Sequence, residues 1–133
     1  MFRISIEVPS AEEFLSLRAS AGMGPRSPKG VEQGLGNELY CVVLRTNDGD
    51  ELVGMGRVVG DGGTVFHICD MVVKPEWQMK GGGTMIMDAL MGFIEDLGVS
   101  DAYVNLIADV EGFYEKWGFK PTLPRSRGMF LKS

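Results

Sequence analysis

The sequence QMKGGGT at residues 78–84 lies between an apolar segment and a stripe of apolar residues with helical spacing. The stripe follows the loop and consists of Ile86, Leu90, Phe93, Ile94 and Leu97. It predicts a helix of about 15 residues with one buried side, ended by Gly98. Because the first N–H groups of a helix have no intrahelical partner, and because glycines let a ligand approach the backbone closely, the loop predicts an anion site.

The positions of the lysine and the glycines argue against two common kinds of phosphate-binding loop. A Walker loop places its lysine after the glycines, whereas Lys80 precedes them. The dinucleotide fingerprint requires a third glycine at the position where Ile86 stands. Neither pattern fits, and a purely structural glycine turn is the alternative that these residues leave open.

The residues before the loop predict an antiparallel sheet. Strands are expected at residues 2–8, 39–44, 51–59 and 64–73. The last three form a meander, because turns are expected at 47–50 and 60–63. Ser10 caps a short first helix. Residues 21–36 are rich in glycine and proline, so we expect an irregular segment with one helical turn that lines a substrate pocket.

The residues after the loop predict a different architecture. A strand at 101–107 follows the helix, and such a strand–helix–strand unit pairs its strands in parallel through a right-handed crossover. Asp109 is expected to cap a short helix that carries Tyr114. Two short strands, around Phe119 and at 129–131, are expected to complete the sheet. The predicted fold class is α/β (mixed α+β), a mostly antiparallel sheet of about six to seven strands with about three to four helices.

Length and composition indicate a single domain over residues 1–133. Hydrophobic residues make up 44% of the chain and charged residues 23%, which is ordinary for a globular domain. No apolar run approaches the roughly 20 residues that a membrane helix needs, and no signal peptide is recognisable. Cys41 and Cys69 are too few for a disulfide framework or a zinc site, which favours a cytoplasmic location and no metal.

The charge is unevenly distributed along the chain. Residues 116–133 contain five basic and no acidic side chains, whereas residues 1–115 contain 8 basic and 18 acidic ones, a net charge of −10. An acidic body argues against nucleic-acid binding. It attracts small cations such as amines where a cleft focuses its field, although solubility alone explains the imbalance equally well.

Two segments resemble signatures of the GCN5-related N-acetyltransferase (GNAT) superfamily. Residues 78–83, QMKGGG, are similar to its Gln/Arg-x-x-Gly-x-Gly/Ala loop, with Gly82 in place of the usual aliphatic residue. Residues 71–75, MVVKP, are similar to the strand end and turn that precede this loop. Residues 113–119, FYEKWGF, resemble its Tyr-Glu-Lys-x-Gly-Phe segment. The element order also matches over nearly all of the chain, which implies the GNAT fold with a splayed strand pair at the CoA site.

The resemblance implies that the chain binds acetyl-CoA as a co-substrate, without a metal, and passes the acetyl group to a primary amine. Backbone N–H groups of the glycine loop would hold the pyrophosphate, and Met71 and Val73 would pair with the pantetheine arm. The implied cofactor-binding residues are Met71, Val72, Val73, Gln78, Met79, Lys80, Gly81, Gly82, Gly83, Thr84, Asn105 and Lys116.

Direct attack of an amine on a thioester needs a base for the ammonium proton and benefits from an acid for the leaving thiolate. Tyr114 matches the family tyrosine that acts as this acid, and a core tyrosine is the alternative. His67, the only histidine, is the candidate base, since a neutral imidazole suits the task. A structural histidine and a water chain are its alternatives.

The alternation of side chains along a strand, together with their apolar character, indicates which residues bind the acceptor amine. His67 is expected to share a strand face with Cys69 and Met71, and Asp70 to lie on the opposite face with Phe66 and Ile68. The substrate-binding candidates are Met23, Phe66 and Asp70.

The hypothesis is therefore an N-acetyltransferase for a small amine of the arylalkylamine, polyamine or amino-sugar type. A peptide lysine or N-terminal amine is an alternative acceptor, and a non-catalytic acyl-CoA-binding module is a second alternative. A homodimer through the edge of the last strand is also expected, with no nucleic-acid or membrane partner.

Overall fold

The computed structural model describes residues 1–133, which form five strands, three α-helices and two 3-10 turns. The strands are β1 (Phe2–Ile6), β2 (Tyr40–Thr46), β3 (Leu52–Gly60), β4 (Val65–Val73) and β5 (Tyr103–Leu106). The α-helices are α1 (Ala11–Ser20), α2 (Pro28–Gly34) and α3 (Gly82–Asp96), and the 3-10 turns are Pro75–Trp77 and Tyr114–Trp117. None of these helices is long and apolar enough to cross a membrane.

The strands form one mixed sheet in the order β1-β2-β3-β4-β5. Neighbours from β1 to β4 are antiparallel, and β4 and β5 are parallel with α3 between them in the chain. The predicted mixed fold, its meander and its parallel strand–helix–strand unit are therefore confirmed. The sheet has five strands where six or seven were expected.

The missing strands belong to residues 119–133, which form no strand or α-helix. Pro121 and Pro124 lack the N–H donor that a central strand needs, so this segment is a poor partner for the free edge of β5. The predicted cap at Asp109 is also wrong. Phe113 occupies the N-cap position of the turn Tyr114–Trp117, and no side chain caps it.

Apolar side chains pack on both faces of the sheet. On one face α3 buries Ile86, Met87 and Leu90 completely against Leu44 and Phe66. On the other face α1 and α2 cover a second cluster, formed by Phe14, Leu17, Val31, Cys41, Val43, Leu52, Met55 and Val72. Both faces of the central strands are thereby shielded from water, which is the main source of stability for a domain of this size.

The first two helices begin at side-chain caps. Ser10 and Glu13 form a reciprocal capping box at the start of α1, as the cap at Ser10 predicts. Helix α2 lies within the region expected to be irregular and is longer than one turn. It begins with Pro28 after Ser27, whose hydroxyl accepts a hydrogen bond from Gly30 N. A capping serine followed by proline at the first helical position is a typical helix start. The glycines on either side of it favoured the prediction of an irregular segment.

A bulge in β4 changes which side chains face α1. Asp70 has a φ of 54°, and the pairing of β3 with β4 shifts register there. Asp70 bonds Arg18 of α1, whereas Phe66 and Ile68 belong to the core beneath α3. Met71 also packs against the α3 core. The predicted faces of Asp70 and Met71 are therefore wrong, because one extra residue in a strand reverses the alternation beyond it.

Candidate functional site

Strands β4 and β5, the last two in the sheet order, are paired only along the first half of β4. They pair from Val65 with Tyr103 to Ile68 with Leu106, where β5 ends while β4 continues to Val73. Beyond Ile68, the edge of β4 that faces away from β3 has no strand partner. Backbone groups along such an edge are able to pair with an extended ligand as an added strand would.

The glycine loop presents a row of backbone N–H groups at the start of α3. None of the N–H groups from Met79 to Thr84 is hydrogen-bonded within the chain. Met79 and Gly81 have φ values of 64° and 85°, and Gly81 is the N-cap of α3. Gln78 Nε2 donates to Val73 O at 2.9 Å, which ties the loop to the end of β4. The arrangement suits a phosphate, which accepts several N–H bonds at a helix N-terminus.

Close packing, and not a need for backbone flexibility, explains why glycine is found at both Gly82 and Gly83. A Cβ atom at Gly82 would lie 2.8 Å from Leu44 Cδ1, and one at Gly83 would lie 3.2 Å from Phe113 Cζ. The second contact joins the glycine loop to the turn that carries Tyr114. The same turn is held to α3 by Trp117 Nε1, which donates to Asp88 Oδ1 at 2.9 Å.

Tyr114 has a buried ring and a free hydroxyl. The ring packs edge-on against Phe113 and Phe119, and the residue is 7% exposed. The hydroxyl makes no hydrogen bond within the chain, and it is not among the buried polar atoms without a partner. It therefore faces the open space beside it, a cleft of about 1120 Å³ between β5 and residues 117–130 that Asn105 also lines.

The environment of Tyr114 keeps its phenol protonated. Burial of the side chain, and secondarily the negative charge of Asp109, raises the pKa of Tyr114 above its usual range. A phenol carries its proton at neutral pH, and the raised pKa extends this form to more alkaline pH, so Tyr114 is able to donate a proton to a group in the cleft.

His67 and Asn105 lie side by side on β4 and β5, just before the strands separate. His67 Nδ1 is 2.7 Å from Asn105 Oδ1. Asn105 Nδ2 also donates to Phe66 O at 3.4 Å. The predicted base and a residue predicted to bind the cofactor therefore contact each other directly.

A buried ion cluster lies on the α1 side of the sheet at the bulge. Asp70 accepts hydrogen bonds from Arg18 at 2.6 Å and from Arg57 at 2.8 Å, and Arg57 also bonds Glu38 at 3.0 Å. Arg18 Nη2 donates to Gly24 O at 2.7 Å, which fastens the loop after α1 to the sheet. Sequence reasoning selected Asp70 alone, because nothing local to β4 identifies partners on α1 and β3.

Other predicted site residues lie away from the cleft or have buried side chains. Phe66 is completely buried in the α3 core, so its side chain does not line an acceptor pocket. Val72 is buried beneath α1 and α2, and Met23 packs against the edge of that same cluster. Lys116 Nζ lies 5.1 Å from the centre of the Phe113 ring, which places a cation on the turn beside the glycine loop.

Comparisons with known proteins identify the same kind of domain. Residues 26–129 match the family profile described as an acetyltransferase (GNAT) domain. A crystal structure of SA2161 from meticillin-resistant Staphylococcus aureus, described as a probable acetyltransferase of unknown function, has a TM-score of 0.94 and 43% identity, with 100% of both chains covered.

Two further relatives are more distant. The GNAT family protein SP0256 from Streptococcus pneumoniae has a TM-score of 0.80 and 28% identity, covering 100% of this chain and 98% of its own. The uncharacterized N-acetyltransferase ycf52 of Pyropia yezoensis is 28% identical over 120 residues, which cover 89% of this chain and 69% of the relative.

Proposed function

The chain belongs to the GNAT acetyltransferase family, and we propose that it transfers the acetyl group of acetyl-CoA to the primary amine of a small molecule. One observation carries the proposal. The glycine loop, with its free N–H groups, contacts the end of β4 through Gln78 and, through Gly83, the turn that carries the free Tyr114 hydroxyl. The unpaired edge of β4 ends at this same loop. These are the parts that hold an extended thioester with a phosphate group at one end and an acid near its sulfur.

The glycine loop and the edge of β4 bind the co-substrate in this proposal. The N–H groups from Met79 to Thr84 donate hydrogen bonds to the pyrophosphate oxygens, and Lys80 adds a positive charge. The backbone of Met71 and Val73 pairs with the pantetheine arm along the edge that β5 leaves free. Gln78 supports this geometry by holding the loop against Val73 O.

The acetyl group moves by direct attack. His67 Nε2 takes a proton from the acceptor ammonium, the neutral amine nitrogen bonds to the thioester carbon, and the C–S bond breaks. Tyr114 gives its proton to the leaving sulfur, and the second proton of the former amine nitrogen passes through solvent to the Tyr114 phenolate, which leaves the neutral amide. Solvent takes the first proton from His67 Nε2. The role of acid requires a protonated phenol, and the raised pKa of Tyr114 extends the protonated form to more alkaline pH.

The state of the two cysteines supports direct attack over an acetylated cysteine intermediate. Burial raises the pKa of Cys41 and that of Cys69 to about 12. The thiolate is the nucleophilic form of cysteine, and it is almost absent at neutral pH for thiols of this kind.

The acidic body and the mostly apolar lining of the cleft support a small cationic acceptor of the arylalkylamine, polyamine or amino-sugar type, whereas the wall formed by residues 117–130 carries only basic charges. Residues 1–115 carry a net charge of −10, from 8 basic and 18 acidic side chains. A negative surface draws ammonium ions toward a cleft. A peptide amine and a non-catalytic acyl-CoA-binding role are the alternatives that an assay separates.

The assay is amine-dependent release of the CoA thiol from acetyl-CoA. We expect release with at least one member of a panel that holds arylalkylamines, polyamines and amino sugars, and no release with amine omitted. Release with lysine peptides alone would mean that the acceptor is a peptide amine and not a small molecule. Saturable acetyl-CoA binding with no amine-dependent release from either set would contradict the proposed enzyme and favour the binding module.

The expected dimer edge is wrong, because residues 129–131 form no strand, and we propose instead a homodimer in which residues 119–133 rest on the body of a second copy. Phe130 and Leu131 are 93% and 96% exposed, and this segment is basic while the body is acidic. Light scattering is expected to give a molar mass in solution of twice the 14.5 kDa of one chain. Phe130→Ser is expected to lower this molar mass toward that of a single chain. A monomer at assay concentration would contradict this arrangement.

A further inference from the structure

The contact between His67 and Asn105 indicates which nitrogen of the imidazole ring carries the proton. The two residues are directly paired across β4 and β5, and Nδ1 and Oδ1 are 2.7 Å apart. Within the chain this is the only hydrogen bond of the His67 side chain, so Nε2 has no protein partner. The ring therefore has one nitrogen engaged with the protein and one nitrogen free.

The second contact of Asn105 sets the orientation of its amide. Nδ2 donates to Phe66 O at 3.4 Å, which leaves Oδ1 facing the imidazole. In the reverse orientation Oδ1 would face a carbonyl oxygen, and two acceptors would oppose each other. An amide oxygen only accepts hydrogen bonds, so His67 Nδ1 must carry the proton in the 2.7 Å contact.

We propose that Asn105 is a positioning residue, which holds His67 in the Nδ1–H tautomer and leaves the Nε2 lone pair to receive the proton of the acceptor ammonium. The catalytic half of this inference rests on the proposed function, and the tautomer itself does not. When Nε2 takes the proton, the Nδ1–H bond to Asn105 is retained, so the ring keeps its orientation through the transfer. Solvent then removes the proton from Nε2.

Few other titratable or charged groups lie near the imidazole ring of His67. On the face that His67 occupies, the titratable and charged neighbours are Cys69 on β4, Arg57 on β3 with its partner Asp70, and Tyr103 on β5. Arg57 and Asp70 are bonded to each other and to Arg18 and Glu38, and not to the imidazole. The hydrogen bond that His67 Nδ1 donates to Asn105 Oδ1 is therefore the contact that decides the tautomer.

The test uses the single histidine of the chain. Long-range proton–nitrogen NMR of a sample labelled at histidine nitrogen, and purified without a histidine tag, reports which ring nitrogen carries hydrogen above pH 8. We expect Nδ1–H in the wild-type protein and in Asn105→Asp, whose carboxylate still accepts the bond. We expect Asn105→Leu to show the tautomer mixture of free imidazole, and the control Asn47→Leu, in an exposed turn, to match the wild type.

Activity provides the second readout. We expect Asn105→Leu to lower kcat/KM for the amine by about tenfold or more with a smaller change in KM for acetyl-CoA. In Asn105→Asp we expect the acid limb of kcat/KM to move to higher pH by about 1 unit, since a carboxylate favours the charged ring.

Three results would overturn the inference. They are an Nε2–H tautomer in the wild type, an unchanged tautomer in Asn105→Leu, and an altered tautomer with wild-type kcat/KM in Asn105→Leu. A wild-type protein without amine-dependent turnover is a different result. It refutes both the proposed function and the catalytic half of the inference, while the NMR spectra still decide the tautomer.

Discussion

Asp70→Asn is expected to lower the free energy of unfolding by about 3–5 kcal/mol, since it removes the shared anion of two buried guanidinium groups. The side chains of Arg18, Arg57 and Asp70 are only 5%, 13% and 10% exposed, so water does not compensate for the lost charge. Arg18 Nε already has no partner, and after the substitution the buried guanidinium keeps only neutral acceptors, among them Gly24 O.

The measurement is thermal or denaturant unfolding of Asp70→Asn beside Asp48→Asn. Asp48 lies in the exposed turn between β2 and β3 and forms no ion pair, so its substitution tests the same change of side chain without the buried partners. We expect a loss of roughly 10 °C or more in Tm for Asp70→Asn and about 1 °C for the control. A loss below roughly 2 °C would mean that the ion cluster does not hold the bulge of β4 in place.

Tyr114→Phe is expected to lower kcat/KM by about 10²-fold or more, the usual contribution of a positioned proton donor. The stability is expected to change little, because the hydroxyl makes no hydrogen bond within the chain and the buried ring is retained. A large loss of activity without a loss of stability is the combination that separates an acid from a core tyrosine.

The pH dependence gives Tyr114→Phe a second readout. In the wild type the alkaline limb of kcat/KM should lie above the ordinary range of a phenol, because burial raises the pKa of Tyr114 and the acid form persists to higher pH. The variant should lose that limb. Tyr40→Phe, whose ring stacks on Phe93 of α3, is the matched control. Activity of Tyr114→Phe within about twofold of wild type would reject the acid role.

The parts of the fold that follow from local sequence patterns were predictable. The β2–β4 meander is marked by apolar segments separated by glycine-rich turns, and α3 by one apolar stripe after the glycine loop. The free N–H groups of that loop also follow from its place at a helix start, since no residue far away in the sequence is needed to create them. Ser10 was recognisable for the same reason.

The parts that depend on distant residues were not predictable. The bulge at Asp70 adds one residue to β4 and reverses the facing of Asp70 and Met71. The arginines on α1 and β3 that bond Asp70 are 52 and 13 positions away. The contact of His67 with Asn105 depends on the register of β4 and β5, which is set only after α3 has crossed between them. Residues 119–133 alternate weakly, and their prolines prevent the expected strands.

Binding of acetyl-CoA tests the central claim most directly. The measurement is the Tm of the full chain with acetyl-CoA, and with ATP and NAD as nucleotides that share its phosphates. A ligand present at 100 times its Kd adds about 2.7 kcal/mol of stability, which is several degrees for a domain of this size. We predict this increase for acetyl-CoA and a much smaller one for ATP and NAD. No increase with acetyl-CoA, or a larger increase with ATP or NAD, would contradict the assignment of the glycine loop and the β4 edge to CoA.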